Sequence, residues 1–236
     1  MQVKPVTDSK SGQTPSPNVT EIDLSVVYRI AGLSGRLEGY TFENWDDDKQ
    51  PKAKASSLSF FDEPKSLVFW STAYGSGKTF AACAILRRWL RQHVVMGSRE
   101  QKQAWQPARY YVEGGQVIPN GGIESIGGMI VIAGDMLSQI KATYRDDSEL
   151  TEADIVGLMQ KTPLLVLDDL AYHAMSANDR SILHRLVNWR YNEGLHMIVT
   201  TNRTVNQLME DVGAAVVSRL RQMGEFVHLD EEDYRE

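Results

Sequence analysis

The run Ser71-Thr-Ala-Tyr-Gly-Ser-Gly-Lys-Thr79 constrains this chain more than any other stretch. An apolar segment, Leu67-Val-Phe-Trp70, precedes it, and a helical pattern from Phe80 to Leu90 follows. A strand, a glycine-containing turn and a helix opening on Lys-Thr is the layout of a phosphate-binding loop. Free N–H groups at a helix N-terminus, aided by the helix dipole, favour a polyphosphate. Gly75 and Gly77 permit positive φ and close backbone approach. Lys78 can reach the β- and γ-phosphates, and the Thr79 hydroxyl can sit on Mg²⁺. Tyr74, Gly75, Ser76, Gly77, Lys78, Thr79 and Phe80 are therefore the expected nucleotide-binding residues. The full pattern opens with glycine where Thr72 stands. That glycine shapes the start of the loop rather than donating to phosphate, so its loss bears on geometry and affinity more than on the existence of a site.

A chain of 236 residues with 42% hydrophobic content has room for one ordinary domain and a tail. Its apolar runs are too short to span a bilayer, and the N-terminus lacks the apolar core of a signal peptide. The single cysteine, Cys83, excludes an internal disulfide and a cysteine-rich zinc site, and reads as a small buried residue. A cytoplasmic location without membrane contact fits these features. A formal net charge of −6 argues against nonspecific DNA binding by bulk charge but leaves room for a local basic surface.

Residues 1–20, rich in Ser, Thr, Pro and Lys, read as disordered. Apolar residues return between Ile22 and Leu33 as a short helix that docks either on a partner or on the domain itself. The expected division is thus an N-terminal segment, 1–35, and a domain, 36–236. Tyr40, Phe42 and Trp45 either flank a nucleotide base or anchor this arm to the core. Arg87, Arg88, Arg91 and His93 give the helix after the loop a basic side, a pattern that most often marks a solvated face. Residues 97–128 break the alternation as an insertion, with a hairpin expected around Gly114-Gly115.

A strand over Met129–Ala133 leads to a helix capped by Asp135 and running through Tyr144. Another helix begins at Thr151. Pro163-Leu-Leu-Val-Leu-Asp-Asp169 is the second strong signal, an apolar strand running into two carboxylates. In open α/β sheets ligands bind at the strand C-termini, so this pair faces the phosphate loop. Asp168 suits a contact to Mg²⁺ and Asp169 suits polarisation of an attacking water. Ser176 caps a long helix ending at Gly194, and His196–Asn202 is a strand. Asn202 either hydrogen-bonds the hydrolytic water or the γ-phosphate, or caps the next helix. Leu208 to Gln222 reads as one helix carrying Arg219 and Arg221, followed by a strand over Glu225–Leu229. Strands alternating with helices define an α/β fold, a parallel sheet with helices on both faces.

The set Gly-Ser-Gly-Lys-Thr79, Leu164-Leu-Val-Leu-Asp-Asp-Leu170, Thr200-Thr-Asn202 and Val217-Ser-Arg-Leu-Arg221 resembles the AAA+ ATPases. More narrowly it is similar to the DnaC-type helicase loaders and the IstB-type transposition helpers. The resemblance implies a P-loop core without a C-terminal lid domain, ATP and Mg²⁺ as cofactors, and Asp168 with Thr79 at the metal. It implies Asp169 and Asn202 as catalytic residues and Arg219 as an arginine finger reaching a neighbour's γ-phosphate, hence an ATP-dependent homo-oligomer. It implies single-stranded DNA and a replicative helicase as partners, with Lys141, Tyr144 and Arg145 in the region that can face DNA. Two rivals stay open: a transposition helper acting on duplex DNA with a transposase, and a nucleotide-binding adaptor with little turnover.

Overall fold

The computed structural model describes residues 24–95, 110–113, 116–119 and 127–229. Its centre is a five-stranded, all-parallel sheet built from β1 (Ser66–Trp70), β4 (Gly128–Ile132), β5 (Leu164–Asp168), β6 (Met197–Thr201) and β7 (Gly224–His228), in the order β4-β5-β6-β1-β7. The two-residue period of a strand sends alternate side chains to opposite faces. Val68, Val131, Leu167 and Val199 enter one core, while Leu67, Phe69, Ile130, Val166 and Ile198 enter the other. Burial on both faces explains why these strands read as continuous apolar runs.

One face is covered by α1 (Leu24–Ile30), α2 (Pro51–Ser59) and α3 (Lys78–Val95). The other carries α4 (Ala133–Ala142), α5 (Glu152–Lys161), α6 (Ala177–Asn192), α7 (Val205–Val212) and α8 (Ala214–Met223). Strands β2 (Tyr110–Glu113) and β3 (Gln116–Pro119) form a separate antiparallel pair with Glu113 opposite Gln116, as the expected hairpin requires; Gly114 and Gly115, expected in its turn, lie outside the described residues. No helix among the described residues is long and apolar enough to cross a membrane. No separate helical bundle follows β7 within the described residues.

Three boundaries differ from those read in the sequence. Helix α4 starts at Ala133, directly after β4, and its N-cap Ile132 makes no side-chain bond, so Asp135 lies in the first turn and is not the cap. The helix also stops at Ala142, short of Tyr144. The single helix expected over 208–222 is two helices, broken at Gly213, whose φ of 95° a side chain rarely adopts. By contrast, Thr151 and Ser176 each form a reciprocal capping box, with Asp154 and Asp179.

The arm that precedes the sheet packs on the domain itself. Val27, Ile30, Ala31 and Leu33 are buried, and the Ala31 carbonyl accepts the Ile130 amide at 2.9 Å, covering the outer edge of β4. The packed region therefore includes residues upstream of position 36. On the opposite face, Arg190 is fully buried and ties α6 to the end of α5. Its guanidinium donates to the carbonyls of Met159 (2.7 Å), Gln160 (3.2 Å), Thr162 (2.6 Å), Pro163 (3.0 Å) and His196. A cation at the negative end of α5 satisfies carbonyls that the helix cannot.

Candidate functional site

Parallel pairing brings Trp70, Ile132, Asp168, Thr201 and His228, the last residues of their strands, to one edge of the sheet. The loop between β1 and α3 crosses that edge. Gly75 (φ 79°) and Gly77 (φ 88°) hold left-handed backbone, which turns the chain into the first turn of α3. Exposed Thr72 leaves this curvature intact. The start of the loop is instead fixed by buried Ser71, whose amide donates to the Thr201 carbonyl and whose hydroxyl accepts the Ala73 amide. Lys78 is 6% exposed and lies across the loop, donating to the Ala73 carbonyl at 2.8 Å and to Ser76 Oγ at 2.9 Å. Tyr74 stands out at 68% exposure. Phe80 turns inward, its ring 5.1 Å from Tyr40 and 5.4 Å from Trp45, so only its backbone faces the loop. Trp45 is buried and Phe42 stacks on it, which makes this aromatic group an anchor for the arm.

Behind the loop, the Thr79 hydroxyl meets Asp168 at 3.0 Å from Oδ1 and 3.3 Å from Oδ2. Asp168 is 4% exposed. Burial pushes its carboxyl up to about 6, the neighbouring Asp169 charge adds to the rise, and the Thr200 and Thr79 hydroxyls oppose it. Thr200 Oγ1 donates to Asp168 Oδ1 at 2.6 Å and accepts the Asp169 amide at 2.9 Å. Asp169 (φ 53°) and Ala171 (φ 62°) both sit in the left-handed region. Such residues cost about 1–3 kcal/mol each unless their surroundings hold them. Here the end of β6 and the residues just after it do so. The Leu170 amide donates to the Thr200 carbonyl, Thr201 Oγ1 donates to the Leu170 carbonyl at 2.7 Å, and Arg203 Nε donates to the Ala171 carbonyl at 3.0 Å. Arg203 is itself fixed by an ion pair with Asp211 at 2.9 Å. Asn202 lies half-buried within this stapled segment, and the cap of α7 is Thr204, so Asn202 is not a helix cap.

The arrangement brings Lys78, Thr79, Asp168, Asp169 and Asn202 to one sheet edge. It does not bring Arg219 there. Arg219 lies on α8, across the sheet from α3, with Nε donating to Asn188 Oδ1 at 2.6 Å and Nη1 to the Ala215 carbonyl. Lys141 pairs with Asp179 at 3.0 Å, and Tyr144 bonds Glu152 and Asn178, so both are engaged by their own chain. Arg145 is exposed. Ser71 and Thr200 stand in the sequence motifs without a role of their own, and Arg203 stands in none of them. Only the order of the strands shows that β6 lies beside the two carboxylates.

The fold and the edge define a P-loop α/β domain, a parallel sheet with a phosphate loop and two carboxylates at the C-terminal ends of its strands. No described cluster of three or more His, Cys, Asp or Glu residues could hold a metal. A Thr hydroxyl beside one buried carboxylate nevertheless suits Mg²⁺, which takes few protein ligands and keeps water and phosphate oxygens.

Comparison with known proteins narrows the class. Residues 128–236 match the family described as IstB-like ATP binding protein. The chain is 24% identical over 202 residues to the replicative helicase loader DnaC of Buchnera aphidicola subsp. Schizaphis graminum, covering 82% of this chain and 69% of that protein. The crystal structure of the DnaC helicase loader superposes with a TM-score of 0.60 at 19% identity, over 84% of this chain and all of that one. AMPPCP-bound DnaA from Aquifex aeolicus gives 0.58 at 15% identity, over 84% of this chain and 52% of that one. The resemblance to DnaC- and IstB-type AAA+ ATPases, read from four short motifs, is borne out.

Proposed function

We propose that this chain is an ATP-hydrolysing, helicase-loader-like AAA+ protein. It assembles as an ATP-dependent oligomer on single-stranded DNA and delivers or remodels a replicative helicase. The observation that carries the catalytic part is the Thr79–Asp168–Thr200 hydrogen-bond chain immediately behind the phosphate loop. The likeness to DnaC over 82% of the chain supports the loader part.

In this reading the amides at the start of α3 and the Lys78 ammonium hold the phosphates. Thr79 and Asp168 hold Mg²⁺, which neutralises charge on the phosphate oxygens. Asp169 accepts a proton from, or polarises, the attacking water, and Asn202 orients it. Arg219 leaves Asn188 and reaches the γ-phosphate of the adjacent subunit, so assembly completes the site. Comparable fingers are worth roughly 10³–10⁵ in rate.

The match of residues 128–236 to the IstB-like family favours one second reading, a transposition helper acting on duplex DNA. Capture of partners from host extract by the tagged protein, with and without Mg²⁺-ATP, separates the two. A replicative helicase retained only with ATP supports the loader. A transposase without helicase, together with tighter binding to duplex than to single strands, overturns it.

A further inference from the structure

The basic side of α3 is not a plain solvated face. The arm runs alongside the helix and leaves a cleft of about 720 Å³, walled by Tyr28, Phe42, Glu43, Arg87, Arg88 and Arg91. Arg87 lies over the Tyr28 ring at 4.3 Å and donates to the Leu37 carbonyl at 3.1 Å, while its Nε is buried without a hydrogen-bond partner. The Arg88 guanidinium lies 4.4 Å over Phe61 and 5.7 Å from Phe42. Among the described residues, none of the five ion pairs involves Arg87, Arg88 or Arg91. The one acid in the wall is Glu43. Its carboxyl is held below the usual range by its own amide first, then by the Thr41 hydroxyl and the charges of Arg91 and Arg88. A chain of net charge −6 thus concentrates three guanidiniums against one carboxylate in one concave place.

The end of α4 is the opposite case. Lys141 is neutralised by Asp179, and Arg185 by Glu152. Arg145 is followed by exposed Asp146, Asp147 and Glu149. A polyanion approaching there meets more negative than positive charge.

We infer that the cleft between the arm and α3 binds the sugar-phosphate backbone of single-stranded nucleic acid. The inference rests on the single-strand part of the proposed function and moves that contact away from α4. Planar guanidiniums match phosphate oxygens in a fork. Arg88 and Arg91, three residues apart, share one helix face and offer adjacent contacts along a strand, while Arg87 holds the arm through the Leu37 carbonyl. The rings of Tyr28 and Phe42 already carry guanidiniums, so they are not free platforms for bases. Binding is therefore to backbone and indifferent to base identity. The cleft takes a short stretch of one strand and is too small for a duplex.

The test is fluorescence anisotropy of labelled oligothymidylate and oligoadenylate across a salt series, with ATP present. It compares the wild type with Arg88→Gln/Arg91→Gln and with Lys141→Gln/Arg145→Gln. Arg87 is left in place because it holds the arm, and melting temperatures check that each variant folds. The Arg88/Arg91 variant is expected to lose at least tenfold in affinity for both oligonucleotides. Its salt slope should flatten by about 1.4, from roughly 0.7 for each lost single-strand phosphate contact. The Lys141/Arg145 variant should lose less. Unchanged affinity and slope in a folded Arg88/Arg91 variant overturn the cleft while leaving the loader reading intact. The same result with loss of helicase capture also overturns it and assigns the cleft to an acidic protein segment. Absence of single-strand binding by the wild type overturns the single-strand reading itself and the cleft with it.

Discussion

Thr200 Oγ1 lies 2.6 Å from Asp168 Oδ1 and 2.9 Å from the Asp169 amide, so one buried hydroxyl on β6 sets the orientation of one carboxylate and the backbone of the next. Thr200→Val keeps the shape and removes both bonds. The expected result is a loss of about 10- to 100-fold in kcat, the usual cost of removing a group that orients a metal-holding carboxylate. Mg²⁺-free nucleotide affinity should stay within about twofold, because Thr200 does not touch the phosphate loop. Thr200→Ser should restore most of the turnover. Equal losses in Mg²⁺-free affinity and turnover would mean a general loss of structure.

The raised pKa of Asp168 predicts pH-dependent stability and, at the proposed metal site, pH-dependent Mg²⁺ affinity. The folded pKa of about 6 exceeds the ordinary aspartate value of 3.8, so between these values the folded chain holds a proton that the unfolded chain has released. The contribution of this group is fully present below the lower value and is lost as pH rises through about 6. Without metal and nucleotide, Asp168→Asn should therefore shrink the fall in melting temperature between about pH 4 and about pH 7.5. Mg²⁺-dependent nucleotide affinity should strengthen as pH rises through about 6 in the wild type and not in the variant. Melting curves and nucleotide titrations at the two pH values check both.

Arg190 is held by five carbonyls, and burial lowers its pKa to about 9, which leaves it charged at neutral pH. Arg190→Met fills the volume but strands the carbonyls at the end of α5. The expected cost is about 3–5 kcal/mol, by analogy with breaking a buried charged network. For a chain of this size that lowers the melting temperature by roughly 6–20 °C. A change under about 2 °C would mean that water satisfies these carbonyls instead.

Arg219 is tethered to Asn188 within its own subunit. If it acts on a neighbour, Arg219→Ala should bind nucleotide normally and lose at least about 100-fold in turnover. Mixing it with the equally inactive Lys78→Ala variant should recover activity, because one supplies an intact loop and the other an intact finger. No recovery in mixed assemblies would remove Arg219 from the site.

Much of this was legible in the chain because it is local. The strand-loop-helix from Leu67 to Leu90, the carboxylates after Leu167 and the capping boxes at Thr151 and Ser176 all follow from residues within one or two turns of each other. What was not legible depends on distant neighbours. Thr200 matters because β6 pairs with β5, and Arg190 because α6 packs on the end of α5. Lys141 and Tyr144 read as available for DNA because their partners, Asp179 and Glu152, lie 38 and 8 residues away. Gly213 hid in an apolar pattern that continues in phase on both sides of the break.

The most direct test of the central claim is steady-state ATP hydrolysis by the purified wild type and Lys78→Ala, with Mg²⁺ and single-stranded DNA present. The account predicts turnover by the wild type and a loss of at least about 100-fold in the variant, since the proposed role of Lys78 is to hold the phosphates whose charge must be stabilised. Equal rates in the two proteins would contradict it, and so would a wild type that binds ATP without turning it over.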